Sequence, residues 1–136
     1  MSSDSAPVRG VVPGTIRLGM VVLDTPDPPG LAAFYSELLG WELQTDGDED
    51  WVTIRQQGAP VLAFQRAPGL PPVTWPEPSV PQQAHLDFHV PSYDDAEARA
   101  LALGAVLLDA SDDHPDFRVY ADPSGHPFCL CLESQA

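Results

Sequence analysis

Residues 85–104, HLDFHVPSYDDAEARALALG, repeat the pattern of residues 20–40, MVVLDTPDPPGLAAFYSELLG, and this repeat decides the fold. Met20 aligns with His85 and Leu38 with Leu103 at one offset, and a single deletion late in the second copy brings Gly40 onto Gly104. A repeat of this length indicates two copies of one structural unit, neither of which buries its hydrophobic face alone.

The first copy predicts a strand, a helix and three further strands. The apolar run at residues 16–23 is typical of a buried strand, and Asp27 is placed to cap the helix that follows. Gly40 suits the residue at which that helix stops. Residues 41–43, 51–55 and 61–65 are short apolar segments separated by polar or Gly-containing turns, so they predict three strands.

The second copy predicts the same order. Residues 85–90 alternate like a half-buried strand, and Ser92 with Asp95 has the spacing of a capping box in front of a helix that Gly104 ends. The three remaining strands are predicted at residues 106–108, 117–120 and 128–132. Each module is therefore a βαβββ unit.

The stretch between the two copies has a different composition. Residues 67–84, APGLPPVTWPEPSVPQQA, contain six prolines and predict a stiff connector rather than regular structure. The predicted organisation is a flexible lead at 1–14, a first module at 15–66, the connector at 67–84 and a second module at 85–133.

Charge excludes two classes of partner. The chain carries 20 acidic residues against 6 basic ones, a net charge of −14, whereas nucleic acids and anionic membranes require a cationic surface. No run of apolar residues is long enough for a spanning helix, and the polar start lacks the apolar core of a secretory signal. Cys129 and Cys131 lie too close in sequence for an ordinary disulfide, so we expect a reduced, cytoplasmic protein.

Three motifs carry a family resemblance: PDP at residues 26–28, FYSELLGW at 34–41 and DPSGHPFCL at 122–130. Together with the repeat, they resemble the vicinal oxygen chelate superfamily (the glyoxalase, bleomycin-resistance and dioxygenase group), and its glyoxalase-like domain branch in particular. The resemblance implies an α+β fold in which two tandem βαβββ modules form a U-shaped, cup-like mixed sheet with helices on the convex side. It also implies a homodimer.

The resemblance further implies four ligand positions for a metal on the concave face, which here are Met20, Gln65, His85 and Cys129. Of these, only His85 is an ordinary ligand in its usual place. A thioether and a neutral amide, without a carboxylate, make a poor site for a hard or borderline divalent ion. We therefore expect no cofactor; if a divalent metal binds, the candidates are His85, Gln65 and Cys129.

The alternation of polar and apolar residues along the strands predicts independently which residues line the cup. His85 and Asp87 share one side of their strand, opposite its apolar residues, and Cys129 lies on the corresponding side of the last strand. His85 beside Asp87 has the make-up of an oriented general base, and hydrogen-bonded lining residues are the alternative.

Aromatic residues complete the predicted lining. Trp51 and Tyr120 are expected to face the cup, whereas Trp75 in the connector is expected at its rim or at a dimer contact. The predicted ligand-binding residues are Met20, Trp51, Gln65, His85, Asp87, Tyr120 and Cys129.

These observations predict a protein that binds a small organic molecule, cationic or aromatic, in the cup without the usual divalent metal. Two alternatives stay open. One is a metal-independent acid–base enzyme of isomerase or lyase type that uses His85. The other is a divalent-metal lyase or dioxygenase with a rearranged site.

Overall fold

The computed structural model of the chain describes residue 14 and residues 16–45 and 47–133, so most of the predicted lead lies outside the described residues. The elements, in chain order, are β1 Val21–Thr25, α1 Pro28–Leu39, β2 Glu42–Gln44, β3 Trp51–Gln56, β4 Ala59–Arg66, β5 Leu86–Val90, α2 Tyr93–Ala102, β6 Val106–Asp109, β7 Phe117–Ala121 and β8 Pro127–Leu132. None of the described helices has both the length and the apolar character needed to cross a bilayer.

The strands form two four-stranded mixed sheets of the same topology. The first has the order β1-β4-β3-β2 and the second the order β5-β8-β7-β6. In each, the first strand of the module pairs in parallel with the last, and the remaining pairs are antiparallel. This arrangement confirms the predicted α+β class and the two βαβββ modules.

Helix α1 has the predicted ends. The Asp27 side chain accepts a hydrogen bond from the backbone N–H of Gly30 at 3.1 Å, which satisfies one free donor of the first turn. Gly40 ends the helix with a φ of 71°, in the left-handed region where a residue without Cβ is favoured.

Helix α2 begins differently from the prediction. Ser92 stands at its N-cap, but its side chain makes no capping hydrogen bond, so the predicted capping box is wrong. Asp94 and Asp95 lie in the first turn, where negative charge interacts favourably with the helix dipole. Arg99 provides the complementary positive charge in the last turn.

Strand β1 starts later than the apolar run predicted. Ile16 and Leu18 are 91% and 85% exposed and precede the strand, which begins only where Val21 pairs with Leu62 of β4. The backbone partner, rather than hydrophobicity alone, therefore sets the start of this strand.

A single hydrophobic core serves both modules. Tyr35 of α1 stacks on Phe64 of its own sheet at a centroid distance of 5.9 Å and also contacts Phe88 and Phe128 of the second sheet at 6.2 Å each. Phe34 reaches Phe128 as well, at 6.0 Å. The helix-facing sides of the two sheets therefore share one core.

Polar contacts join the modules at the turn between β7 and β8. Asp122, which is buried, accepts hydrogen bonds from the Tyr35 hydroxyl at 2.6 Å and from the backbone N–H groups of Ser124 and His126. Burial raises the pKa of the Asp122 carboxyl and, together with that carboxyl, the pKa of Tyr35. Thr25 and Ser124 add a hydroxyl–hydroxyl contact of 2.7 Å across the same junction.

Residues 67–84 contain no described helix or strand. A loop within them is closed by hydrogen bonds from the Thr74 N–H to the Val80 carbonyl and from the Val80 N–H to the Thr74 hydroxyl, both at 2.8 Å. Pro72 packs so closely on Gly125 that a Cβ there would lie 2.6 Å from the Pro72 Cβ. The connector is thus held against the second module.

Candidate functional site

Three of the predicted site residues form a cluster on the second sheet, which we call the His85 cluster: His85, Asp87 and Cys129. Asp87 on β5 is the direct cross-strand neighbour of Cys129 on β8, and His85 precedes β5 on the same side. One potential ligand atom from each residue lies within 4.8 Å of the others. His85 Nε2 is 3.1 Å from Asp87 Oδ1.

Two residues of the connector contact the imidazole of His85. Trp75 stacks on the ring, with a centroid distance of 5.4 Å and an interplanar angle of 16°. Gln82 places its Oε1 atom 2.9 Å from His85 Nδ1. Both ring nitrogens therefore have oxygen partners, and Trp75 covers one face of the ring.

Cys129 is a buried thiol in an unfavourable setting for a thiolate. Burial raises its pKa to about 12, and the negative charge of Asp87 contributes to the rise. The pKa of the half-buried Cys131 is raised for the same reasons. A nucleophilic cysteine requires the opposite shift, so this setting disfavours Cys129 as a nucleophile.

The fit of this cluster to a metal depends on its donor atoms. An imidazole, a carboxylate and a thiol suit a thiophilic ion such as zinc only once the thiol has lost its proton. A hard divalent ion prefers oxygen ligands, and Cys129 stands where one of these would be needed. The cluster therefore does not fit a hard divalent ion.

The other two predicted ligand positions, Met20 and Gln65, belong to the first module. Gln65 on β4 is directly opposite Trp51 on β3, and both are exposed on the side of the first sheet opposite Val52 and Phe64, which is the side predicted to line the cup. Met20 is half-buried and lines a groove with Trp41 and Phe88. Within the described part of the chain, no side-chain hydrogen bond joins Gln65 to the His85 cluster.

Tyr120 does not face the cup, and that prediction is wrong. Its ring is fully buried and stacks on Phe128 at 5.3 Å, and its hydroxyl donates to Glu97 of α2 at 2.6 Å. Because Tyr120 is the cross-strand partner of Phe128, both side chains lie on the helix-facing side of the second sheet.

A small apolar pocket of about 150 Å³ adjoins His85 where β1 and β5 approach each other. Its walls include Val21, Leu23, Leu86 and Pro127, with the ring of Tyr35 beneath. The pocket offers apolar surface next to His85, whose Nε2 atom contacts the Asp87 carboxylate. This make-up of apolar walls and few polar groups is typical of small-molecule sites.

Gln82 is a site residue that the sequence did not reveal. It stands in a plain polar stretch, PQQA, with no motif or periodicity to mark it. Only the path of the connector across the second sheet brings it to His85.

A family model described as a glyoxalase-like domain matches residues 20–131. The comparison with curated protein sequences finds no significant match.

Solved structures with this fold are numerous. A possible glyoxalase from Bacillus cereus superposes with a TM-score of 0.64 at 12% identity, covering 86% of this chain and 99% of that one. A glyoxalase-related enzyme from Fulvimarina pelagi gives 0.61 at 24% identity, covering 86% and 88%. The fosfomycin resistance protein FosX from Listeria monocytogenes gives 0.67 at 17% identity, covering 92% and 94%. At these identities the likeness establishes the fold alone.

Proposed function

Because the chain belongs to the glyoxalase-like domain family, we propose that it binds a small organic molecule, cationic or aromatic, against the His85 cluster without the usual divalent metal. One observation carries this proposal. His85 is held between Trp75, Gln82 and Asp87, which together offer a stacking surface, hydrogen-bonding groups and one carboxylate.

Binding without a metal is the part of the proposal in which this chain would differ from a structural neighbour. A mutant of FosX from Listeria monocytogenes has been crystallised with Mn(II) and 1S,2S-dihydroxypropylphosphonic acid. In this chain the corresponding chemistry lacks support, because burial raises the pKa of the Cys129 thiol to about 12 and so disfavours the thiolate that would bind a metal. Binding in this protein is therefore expected to persist in a chelator.

A planar aromatic cation tests the proposal. Benzamidinium combines a ring that stacks on Trp75 with a charge that pairs with Asp87. A bound ligand stabilises the native state by an amount that rises with the logarithm of its concentration relative to its dissociation constant. The melting temperature is expected to rise with benzamidinium, equally with and without a chelator. His85→Ala should abolish the rise, whereas His89→Ala, four residues further along the chain, should preserve it.

Three outcomes contradict the proposal. The first is a melting temperature that benzamidinium leaves unchanged, and the second is a shift that disappears in the chelator. The third is a shift that survives His85→Ala. A neutral analogue, benzamide, separates the aromatic contribution from the charge, since it keeps the ring and loses the cation.

The His85–Asp87 contact favours a second candidate, acid–base catalysis. A carboxylate 3.1 Å from an imidazole orients it for proton transfer, and such groups contribute about 100-fold or more to a rate. Catalysis of deuterium exchange at carbons next to a carbonyl, followed by proton NMR on simple hydroxyketones in heavy water, would support this candidate. Unchanged exchange in His85→Ala would remove it.

We also propose that the protein is a homodimer, as the family resemblance implies. Trp51 supports this, because it is 39% exposed on the side of the first sheet opposite the buried Val52 and Phe64. Light scattering during gel filtration measures the mass directly. A monomer at high protein concentration would contradict the proposal.

A further inference from the structure

A second pocket, of about 460 Å³, lies between the connector and strand β1, and we call it the connector pocket. Its apolar walls include Val22 of β1 and Leu70, Val73 and Val80 of the connector, and His126 and Asp24 stand at its edge. Its volume falls within the range typical of small-molecule sites. It borders the pocket next to His85, but Asp87 and Cys129 do not line it.

The walls of the connector pocket are held in place from several directions. The loop closed between Thr74 and Val80 forms one wall, and its Trp75 is fixed on His85. At the other end, Pro72 rests on Gly125, and the Ala67 N–H donates to the Thr25 carbonyl at 2.8 Å. A pocket whose walls are already ordered loses little entropy when a ligand binds.

The polar groups at the edge select for positive charge. The Asp24 carboxylate has no hydrogen-bond or ion-pair partner among residues 16–45 and 47–133, while its backbone carbonyl accepts a 2.5 Å hydrogen bond from His126 Nε2. No arginine lines the pocket, and the chain contains no lysine. A net charge of −14 further disfavours an anionic ligand.

We propose that the connector pocket is a separate binding site for a compact aliphatic ammonium compound. The apolar body of the ligand packs between the connector and Val22, and its ammonium group pairs with the Asp24 carboxylate. This site adjoins the pocket next to His85, with which it shares Leu23, Ala84, His126 and Pro127, but Asp24 lines only the connector pocket and His85 only the other. Variants of Asp24 and Asp87 therefore test the two proposals separately.

Three six-membered-ring compounds test the proposal: cyclohexylammonium, cyclohexanol and cyclohexanecarboxylate. They share one apolar body and differ in charge. In titrations followed by amide NMR, cyclohexylammonium is expected to bind most tightly and to shift the signals of residues 22–24, 70–73 and 80–84. Its affinity should fall as salt is added, because an exposed charge pair is screened.

Matched variants locate the site. Asp24→Asn, an isosteric change at an exposed position, should weaken cyclohexylammonium by roughly fivefold, the upper end for an exposed ion pair. Asp94→Asn on α2 changes the net charge equally and should leave the affinity unchanged. Asp87→Asn should also leave it unchanged, which separates this proposal from the one made for the His85 cluster.

Each contrary result overturns the connector site. Equal affinity for the three compounds would show that the pocket does not select for positive charge. The absence of saturable cyclohexylammonium binding would show that the pocket is not a binding site for this class of compound. A loss of affinity in Asp87→Asn but not in Asp24→Asn would move the ammonium to the His85 cluster. In contrast, failure of benzamidinium to bind at His85 would leave the connector site standing.

Discussion

The Tyr35 hydroxyl donates a 2.6 Å hydrogen bond to the buried Asp122 carboxylate and so ties helix α1 of the first module to the β7–β8 turn of the second. Neither side chain has access to solvent that would replace this partner. The contact therefore contributes directly to how the two modules are held together.

Tyr35→Phe is expected to destabilise the protein by about 1–3 kcal/mol, because the change leaves one Asp122 oxygen buried without its donor. Urea denaturation measures the loss. Tyr93→Phe is the control, since the Tyr93 hydroxyl donates to the Pro115 carbonyl at a more exposed place. A Tyr35→Phe protein no less stable than Tyr93→Phe would refute the buried-donor argument.

His114 predicts a pH dependence of stability. Its Nε2 atom lies 3.1 Å from Asp109 Oδ2 and its Nδ1 atom 3.0 Å from the Phe117 carbonyl. The Phe117 carbonyl and Asp109 raise the pKa of His114, and the hydrogen bond with His114 lowers the pKa of Asp109.

The directions of these two pKa shifts define a pH range in which the contact stabilises the protein most. The His114 contribution is fully present below its ordinary pKa of about 6.5 and is lost as pH rises through the folded value, whereas that of Asp109 is present above about 4 and is lost as pH falls. Melting temperatures should therefore be highest between these values. Asp109→Asn should flatten the profile and Asp112→Asn should not; a profile unchanged in Asp109→Asn would contradict the assignment.

Glu97 joins α2 to β7 by accepting hydrogen bonds from Tyr120 at 2.6 Å and Arg118 at 2.9 Å. Glu97→Gln removes the charge from both bonds and is expected to cost about 1 kcal/mol. Glu37→Gln, at an exposed and loosely paired position, should cost less than about 0.5 kcal/mol.

The contribution of the Glu97 hydrogen bonds to stability also depends on pH. The hydrogen bond from Tyr120 lowers the pKa of Glu97, so their contribution is present above about 4 and is lost as pH falls through the folded value. Denaturation at several pH values checks this. A cost for Glu97→Gln that stayed constant down to the lowest pH would argue against it.

Alkylation measures the influence of Asp87 on the cysteines. In a Cys131→Ser background, Asp87→Asn is expected to speed the reaction of Cys129 with iodoacetamide, because removal of the carboxylate lowers the thiol pKa. Each unit by which the pKa falls raises the thiolate fraction about tenfold below that pKa. Asp94→Asn serves as the charge-matched control, and equal rates in the two variants would show that burial alone governs the thiol.

Local patterns were sufficient to predict most of the fold. The Asp27 cap and the Gly40 stop depend on residues close in sequence, and the repeat is a direct match between two segments of the chain. All three are confirmed. The start of β1 depends instead on where β4 provides a backbone partner, which the apolar run at residues 16–23 does not encode.

The candidate site was predictable only in part, for the same reason. Alternation placed His85, Asp87 and Cys129 on one side of the second sheet, and the structure brings them together. Tyr120 was assigned to the wrong side because its face depends on pairing with Phe128. The contacts of Trp75 and Gln82 with His85 depend on the path of an irregular connector, which has no period to interpret.

The parallel pairing within each module bears on the order in which the chain acquires its structure. Val21 meets Leu62 in the first module and Leu86 meets Phe128 in the second, so each sheet joins residues roughly 40 positions apart, and closing such loops costs entropy before any contact compensates. Nearly a whole module must therefore leave the ribosome before the first strand of that module can pair with the last. Since α1 also shares its aromatic rings with the second sheet, the nascent first module is expected to remain incompletely packed until the second has emerged.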